Sequence, residues 1–105
     1  MAWAYLFAAG LTEIAWAIGL KYSEGFTRLW PSVFTISGIG VSLLLLSLAL
    51  RGIPIGTAYA VWAGIGTVGT ALAGIILYSE STDLLRLACI GLIAAGIVGL
   101  KLVTP

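Results

Sequence analysis

Histidine is absent from this chain, and cysteine occurs once. Without histidine the usual nitrogen donors of a zinc site are missing, and a lone thiol closes no disulfide within the chain. No Cys–His pair and no second buried acid exist to supply the catalytic set of an intramembrane enzyme. Charge is scarce too. Five Lys/Arg and four Asp/Glu make up 9% of the residues, where soluble domains carry about 25%. With a net charge of +1 and no cluster of Lys/Arg, the chain has no basic surface for nucleic acid. Nothing in it suggests a metal or an organic cofactor.

What the chain has is apolar length. Hydrophobic residues make up 61% of it, with fourteen glycines, a composition that suits close helix packing in lipid. A spanning helix needs ~20 mostly apolar residues. Four stretches qualify, approximately 2–20, 31–50, 56–78 and 86–103. Residues 1–105 are thus expected to form one all-α domain of four transmembrane helices. The first stretch lacks a basic leader and is broken by Glu13, so it reads as a retained helix and not a signal peptide. Pro31 is placed to open the second helix. Arg51-Gly52-Ile53-Pro54 stops it, and Thr82 or Asp83 offers an N-cap for the fourth. Trp3, Tyr5, Tyr22, Trp30 and Tyr78 lie near span ends, where aromatic belts sit. Cys89 reads as a small packing residue.

Orientation follows from the Lys/Arg bias of the loops. Arg51 and Lys101 share one side with the N-terminus; Lys21, Arg28 and Arg86 share the other. The bias is close to nil. We therefore expect insertion both ways up and pairing as an antiparallel, dual-topology homodimer. Four thin helices enclose little, which also favours an oligomer.

Glu13 is the only charge in the run 2–20. A carboxylate at the centre of a spanning helix costs ~2.5–3.5 kcal/mol on insertion scales, and such groups mark ion or proton pathways. Trp16, three residues on, shares its helix face. Its indole N–H suits a carboxylate partner or the wall of a cation pocket. Tyr59 and Trp62 repeat the spacing on the third helix and present π faces that attract cations. Ser42 lies mid-span, either bonded back to its own helix or holding Glu13. The hydroxyls of Thr12, Thr35, Ser37, Ser47, Thr57, Thr67 and Thr70 are expected mostly to bond backbone. Gly64-Ile65-Gly66-Thr67-Val68-Gly69 has the spacing of a dinucleotide-binding loop, but no strand precedes it and it lies inside an apolar span. Gly64, Gly66 and Gly69 read instead as a hinge or as close-packing positions. Gly91, Ala95, Gly96 and Gly99 form a small-residue track on the fourth span, expected to serve assembly.

These residues together resemble the small multidrug resistance family of proton-coupled exporters. The resemblance rests on Glu13, on Lys21-Tyr22-Ser23-Glu24-Gly25-Phe26-Thr27-Arg28, on Pro54-Ile55-Gly56-Thr57-Ala58-Tyr59-Ala60-Val61-Trp62 and on Gly64-Ile65-Gly66. Trp16, Ala15-Trp16-Ala17-Ile18-Gly19-Leu20-Lys21 and Trp62-Ala63-Gly64-Ile65-Gly66 look like its guanidinium-exporting subtype. Residues 24–32 look as much like the drug-exporting branch, and Ile39 and Leu43 depart from the lipid-facing side opening of a related exporter. The resemblance implies an antiparallel dimer in a bacterial inner membrane, with two Glu13 residues sharing one site. It implies that Trp16, Ser42 and Tyr59 order those carboxylates, with Trp62 lining the pocket.

The chemistry fits. Guanidinium is planar and rich in N–H donors, and a carboxylate accepts two parallel bonds from such a fork. Protons and the cation then compete for the same oxygens, and the two Glu13 residues titrate together. If loaded forms reorient and the empty form does not, a proton gradient drives the cation outward. The alternatives are a broad quaternary ammonium or lipophilic cation exporter of the same family, and, from another class, a proton-translocating rotor or structural subunit.

Overall fold

The computed structural model describes Met1–Thr104. The chain forms four helices, α1 (Ala2–Tyr22), α2 (Leu29–Ala49), α3 (Ile55–Tyr78) and α4 (Leu84–Val103), with no strand among the described residues. All four are long and apolar enough to cross a membrane. At 1.5 Å per residue a helix of ~20 residues is ~30 Å long, the thickness of the hydrocarbon core. The helices begin and end within two residues of the stretches read from hydropathy. Pro31 lies in the first turn of α2, two residues inside its start, where a missing N–H breaks no helix bond. Asp83 occupies the N-cap position of α4, but its side chain makes no capping bond.

The turn after α1 is built around Ser23, which is fully buried. Its hydroxyl donates to the Leu20 carbonyl (2.7 Å) and accepts from the Phe26 N–H (3.2 Å). Glu24, Gly25 and Phe26 all carry positive φ. Three left-handed residues in succession reverse the chain sharply, and glycine at their centre lowers the cost. Farther along, Ser79 caps α3 in the left-handed conformation.

Helix α1 packs on both α2 and α3, whereas α4 packs on α3 and reaches α1 through Lys101, whose ammonium stands 5.0 Å from the Trp3 ring centroid. The core is a short seam of Leu6, Ala9, Leu46, Ala49, Ile53, Ala58 and Val61. Glycines let these helices approach closely: the Trp16 Cβ lies 2.6 Å from where a Cβ on Gly38 would stand, and Ile65 fills the space at Gly10. The chain measures 42 × 35 × 17 Å. Its short dimension is that of two helix layers packed about 8–10 Å apart, so the helices form an open slab. α4 has no buried residue among those described.

Candidate functional site

Glu13 projects from the middle of α1 onto α3, where Gly66 makes room for it. A Cβ at position 66 would overlap the Glu13 carboxyl group. Any side chain there would displace the acid, so glycine is required by close approach. One carboxylate oxygen, Oε2, is buried and has no hydrogen-bond partner among the described residues. A buried polar atom left in this way calls for water, a ligand or a partner chain.

Trp16, one turn on, packs its Cβ against Gly38 of α2. Its indole Nε1 is also buried and unpartnered. A carboxylate oxygen and an indole N–H on the same face of α1 thus both await a partner.

Ser42 bonds neither its own helix nor Glu13. Its hydroxyl donates to the Ala9 carbonyl (2.8 Å) and accepts from Trp62 Nε1 (2.9 Å). In α-helical geometry the Ala9 carbonyl also receives the Glu13 N–H. One chain of bonds, Trp62 to Ser42 to Ala9, therefore ties α3 and α2 to the turn of α1 that carries Glu13. Ser42 is fully buried. Ser42→Ala strands the Trp62 indole N–H, and such an orphan costs ~1–3 kcal/mol. Thermal unfolding in detergent should show a clear loss of stability for Ser42→Ala. Ser47→Ala removes only an exposed bond to Leu44 of its own helix and should show almost none.

Tyr59 stacks on Trp62, ring centroids 5.4 Å apart at 54°. It is 58% exposed, and its hydroxyl makes no hydrogen bond among the described residues. The glycine-rich stretch of α3 runs as unbroken helix, and each glycine read as a hinge faces a neighbour. Gly64 meets Ile97 of α4, Gly66 meets Glu13, and Gly69 meets Ile14. On α4, Cβ atoms placed at Gly91, Gly96 or Gly99 would meet nothing within 4 Å, and Ala95 is exposed.

The hydroxyls of Thr12, Thr35 and Thr67 each bond the carbonyl four residues back, as expected of polar groups in apolar helices. Thr70 differs. Its hydroxyl is buried without a partner among the described residues, and the residue lines a cavity between α1 and α3. The sequence puts Thr70 in a group of hydroxyls expected mostly to bond backbone; its position one turn beyond Gly66 was the available signal.

The sequence model of the Small Multidrug Resistance protein family matches residues 1–93. A protein of Citrobacter freundii named Guanidinium exporter is 59% identical over 104 residues, which is 99% of each chain. A protein of the same name from Proteus vulgaris is 58% identical over 102 residues, covering 97% of this chain and 98% of its own. Its counterpart in Yersinia pseudotuberculosis is also 58% identical over 102 residues.

Proposed function

The chain belongs to the small multidrug resistance family, a multi-pass membrane transporter, and on that premise we propose that it exports guanidinium and small guanidinyl cations in exchange for protons. The observation that carries this reading is the buried, unpartnered oxygen of Glu13, on a chain 59% identical to a protein named for guanidinium export. The rotor-subunit alternative falls away with the family.

In this reading two copies pair antiparallel, and their Glu13 carboxylates share one site. The open slab and the unpartnered atoms of Glu13 and Trp16 support the pairing, because a second copy can enclose what one leaves bare. The Trp62–Ser42–Ala9 chain holds α1 in place. Tyr59 and Trp62 offer π faces to the cation, and each carboxylate accepts a pair of its N–H groups. Protonation removes the negative charge that binds the cation, so protons and substrate displace one another. Gly64, Gly66 and Gly69 give α3 a stretch where it can bend as the loaded dimer turns from one face of the membrane to the other.

Electrical current from reconstituted vesicles tests this. Guanidinium and phenylguanidinium should evoke current, and tetraalkylammonium ions of similar charge should evoke little. Equal currents would favour the broad quaternary ammonium exporter.

A further inference from the structure

Ser23 ties the two ends of the first turn together. Its carbonyl accepts the backbone N–H groups of Thr27 (2.9 Å) and Arg28 (3.1 Å), so Arg28, at the N-cap position of α2, stands beside the end of α1. From this point toward the membrane centre a groove of about 490 Å³ runs between the two helices. It is lined by Ala15, Ile18, Gly19 and Tyr22 of α1 and by Trp30 and Phe34 of α2, among others. Its volume falls in the ~300–1,000 Å³ range of ligand sites. Gly19 sets its floor: a Cβ there would stand 2.6 Å from the Phe34 ring, so the ring packs directly on the α1 backbone.

This groove is separate from the Glu13 site. At 3.6 residues per turn, Ala15, Ile18, Gly19 and Tyr22 lie on roughly the opposite side of α1 from Glu13. No charged side chain lines it; charge is confined to its mouth. In the turn there, Lys21 and Arg28 outnumber Glu24. The Lys21 ammonium is drawn toward α3, where it stands 4.1 Å from the Tyr78 ring centroid. Arg28 is exposed and makes no ion pair among the described residues. Trp30, 77% exposed, adds an indole N–H donor.

We infer that this groove is a binding site for an anionic phospholipid, with one acyl chain lying along Gly19 and Phe34 and the headgroup phosphate held by Arg28. The two ends of such a lipid match the two ends of the groove. Apolar walls open to the bilayer take the chain, and a guanidinium binds a phosphate through two parallel bonds. The ring of Trp30 is amphipathic and suits the headgroup level between them. A net negative headgroup is favoured over a zwitterionic one, because Arg28 has no carboxylate partner and a cation at the membrane surface attracts anionic lipid. The same charge works against an organic cation taking this place. In the proposed antiparallel dimer one such groove faces each leaflet.

Native mass spectrometry of the full chain in detergent tests this, with phosphatidylglycerol and phosphatidylcholine of identical acyl chains as probes. The unaltered protein should retain one phosphatidylglycerol per chain, in about fivefold preference over phosphatidylcholine, the ratio expected from one cation at the membrane surface. Arg28→Gln should bring that ratio to about one and leave phosphatidylcholine retention as it was. Ala15→Phe, on the exposed wall of the groove, fills the space and should abolish retention of both lipids without changing the mass of the protein assembly. Equal retention of the two lipids by the unaltered protein, or a preference that survives Arg28→Gln, overturns the headgroup assignment. Full retention in Ala15→Phe places the lipid elsewhere and overturns the groove. Loss of assembly mass in Ala15→Phe means that a second copy covers the groove, which overturns the lipid. Arg28→Gln changes only an exposed side chain, so its arm decides even where Ala15→Phe is unstable. No transport is measured, so the result is independent of the proposed exchange at Glu13.

Discussion

Glu13→Gln should abolish proton-coupled transport and leave the protein folded. The substitution keeps the side chain's size, so its contact with Gly66 survives. It also removes a mid-membrane charge that costs ~2.5–3.5 kcal/mol on insertion scales, so the folded protein has no reason to lose stability. What disappears is function. A glutamine amide takes up no proton in the accessible pH range. Its NH2 group is a donor, facing a cation that has only donors to offer. Each charge-assisted bond lost is worth ~1.5–3 kcal/mol, so losing two lowers guanidinium affinity by about 10²-fold or more. Currents from reconstituted vesicles should vanish while elution in detergent and thermal stability stay at wild-type values. Proton-driven guanidinium flux in this variant would end the mechanism proposed here.

Much of the architecture was legible because membrane helices announce themselves through length and apolarity. All four spans and the polar breaks at Lys21, Arg51 and Glu80 could be read directly. Glu13 was legible for the converse reason: one charge in an apolar run has few explanations. What the sequence could not disclose was which helix faces meet. Ser42 could be read as bonding its own helix or Glu13. Its partners are the Ala9 carbonyl and the Trp62 indole, a choice made by the packing of α2 between residues distant in the chain. The glycines of α3 were open to the same ambiguity. Backbone freedom and close approach leave identical marks in sequence, and only the position of the Glu13 carboxyl shows that Gly66 serves at least the latter. Thr70 stood undistinguished among hydroxyls expected mostly to bond backbone, because a lone hydroxyl in a helix ordinarily bonds four residues back. Its neighbour Thr67 does just that.

The second large effect is expected on α4, at a distance from Glu13. Gly96→Leu adds a side chain where, within one subunit, a Cβ meets nothing within 4 Å. α4 packs on α3, reaches α1 only through Lys101 beside the Trp3 ring among the contacts described, and has no buried residue among those described. The fold of the subunit is therefore indifferent to the change, and leucine is well suited both to a helix and to lipid. If the small-residue track of Gly91, Ala95, Gly96 and Gly99 faces lipid, nothing should happen. If it meets a second copy, the added side chain holds the helices apart, since tracks of this kind associate through close backbone approach. The proposed dimer should then dissociate. Transport should fall to background, because a slab 17 Å thick leaves Glu13 with no enclosed site. Helical content by circular dichroism should remain that of the wild type, while mass in detergent falls to that of one chain. A Gly96→Leu protein that stays dimeric and transports at the normal rate would move the assembly surface off this track. Glu13→Gln should give the opposite pattern, with the dimer kept and transport lost, so the two variants together separate the chemistry of the acid from the enclosure it needs.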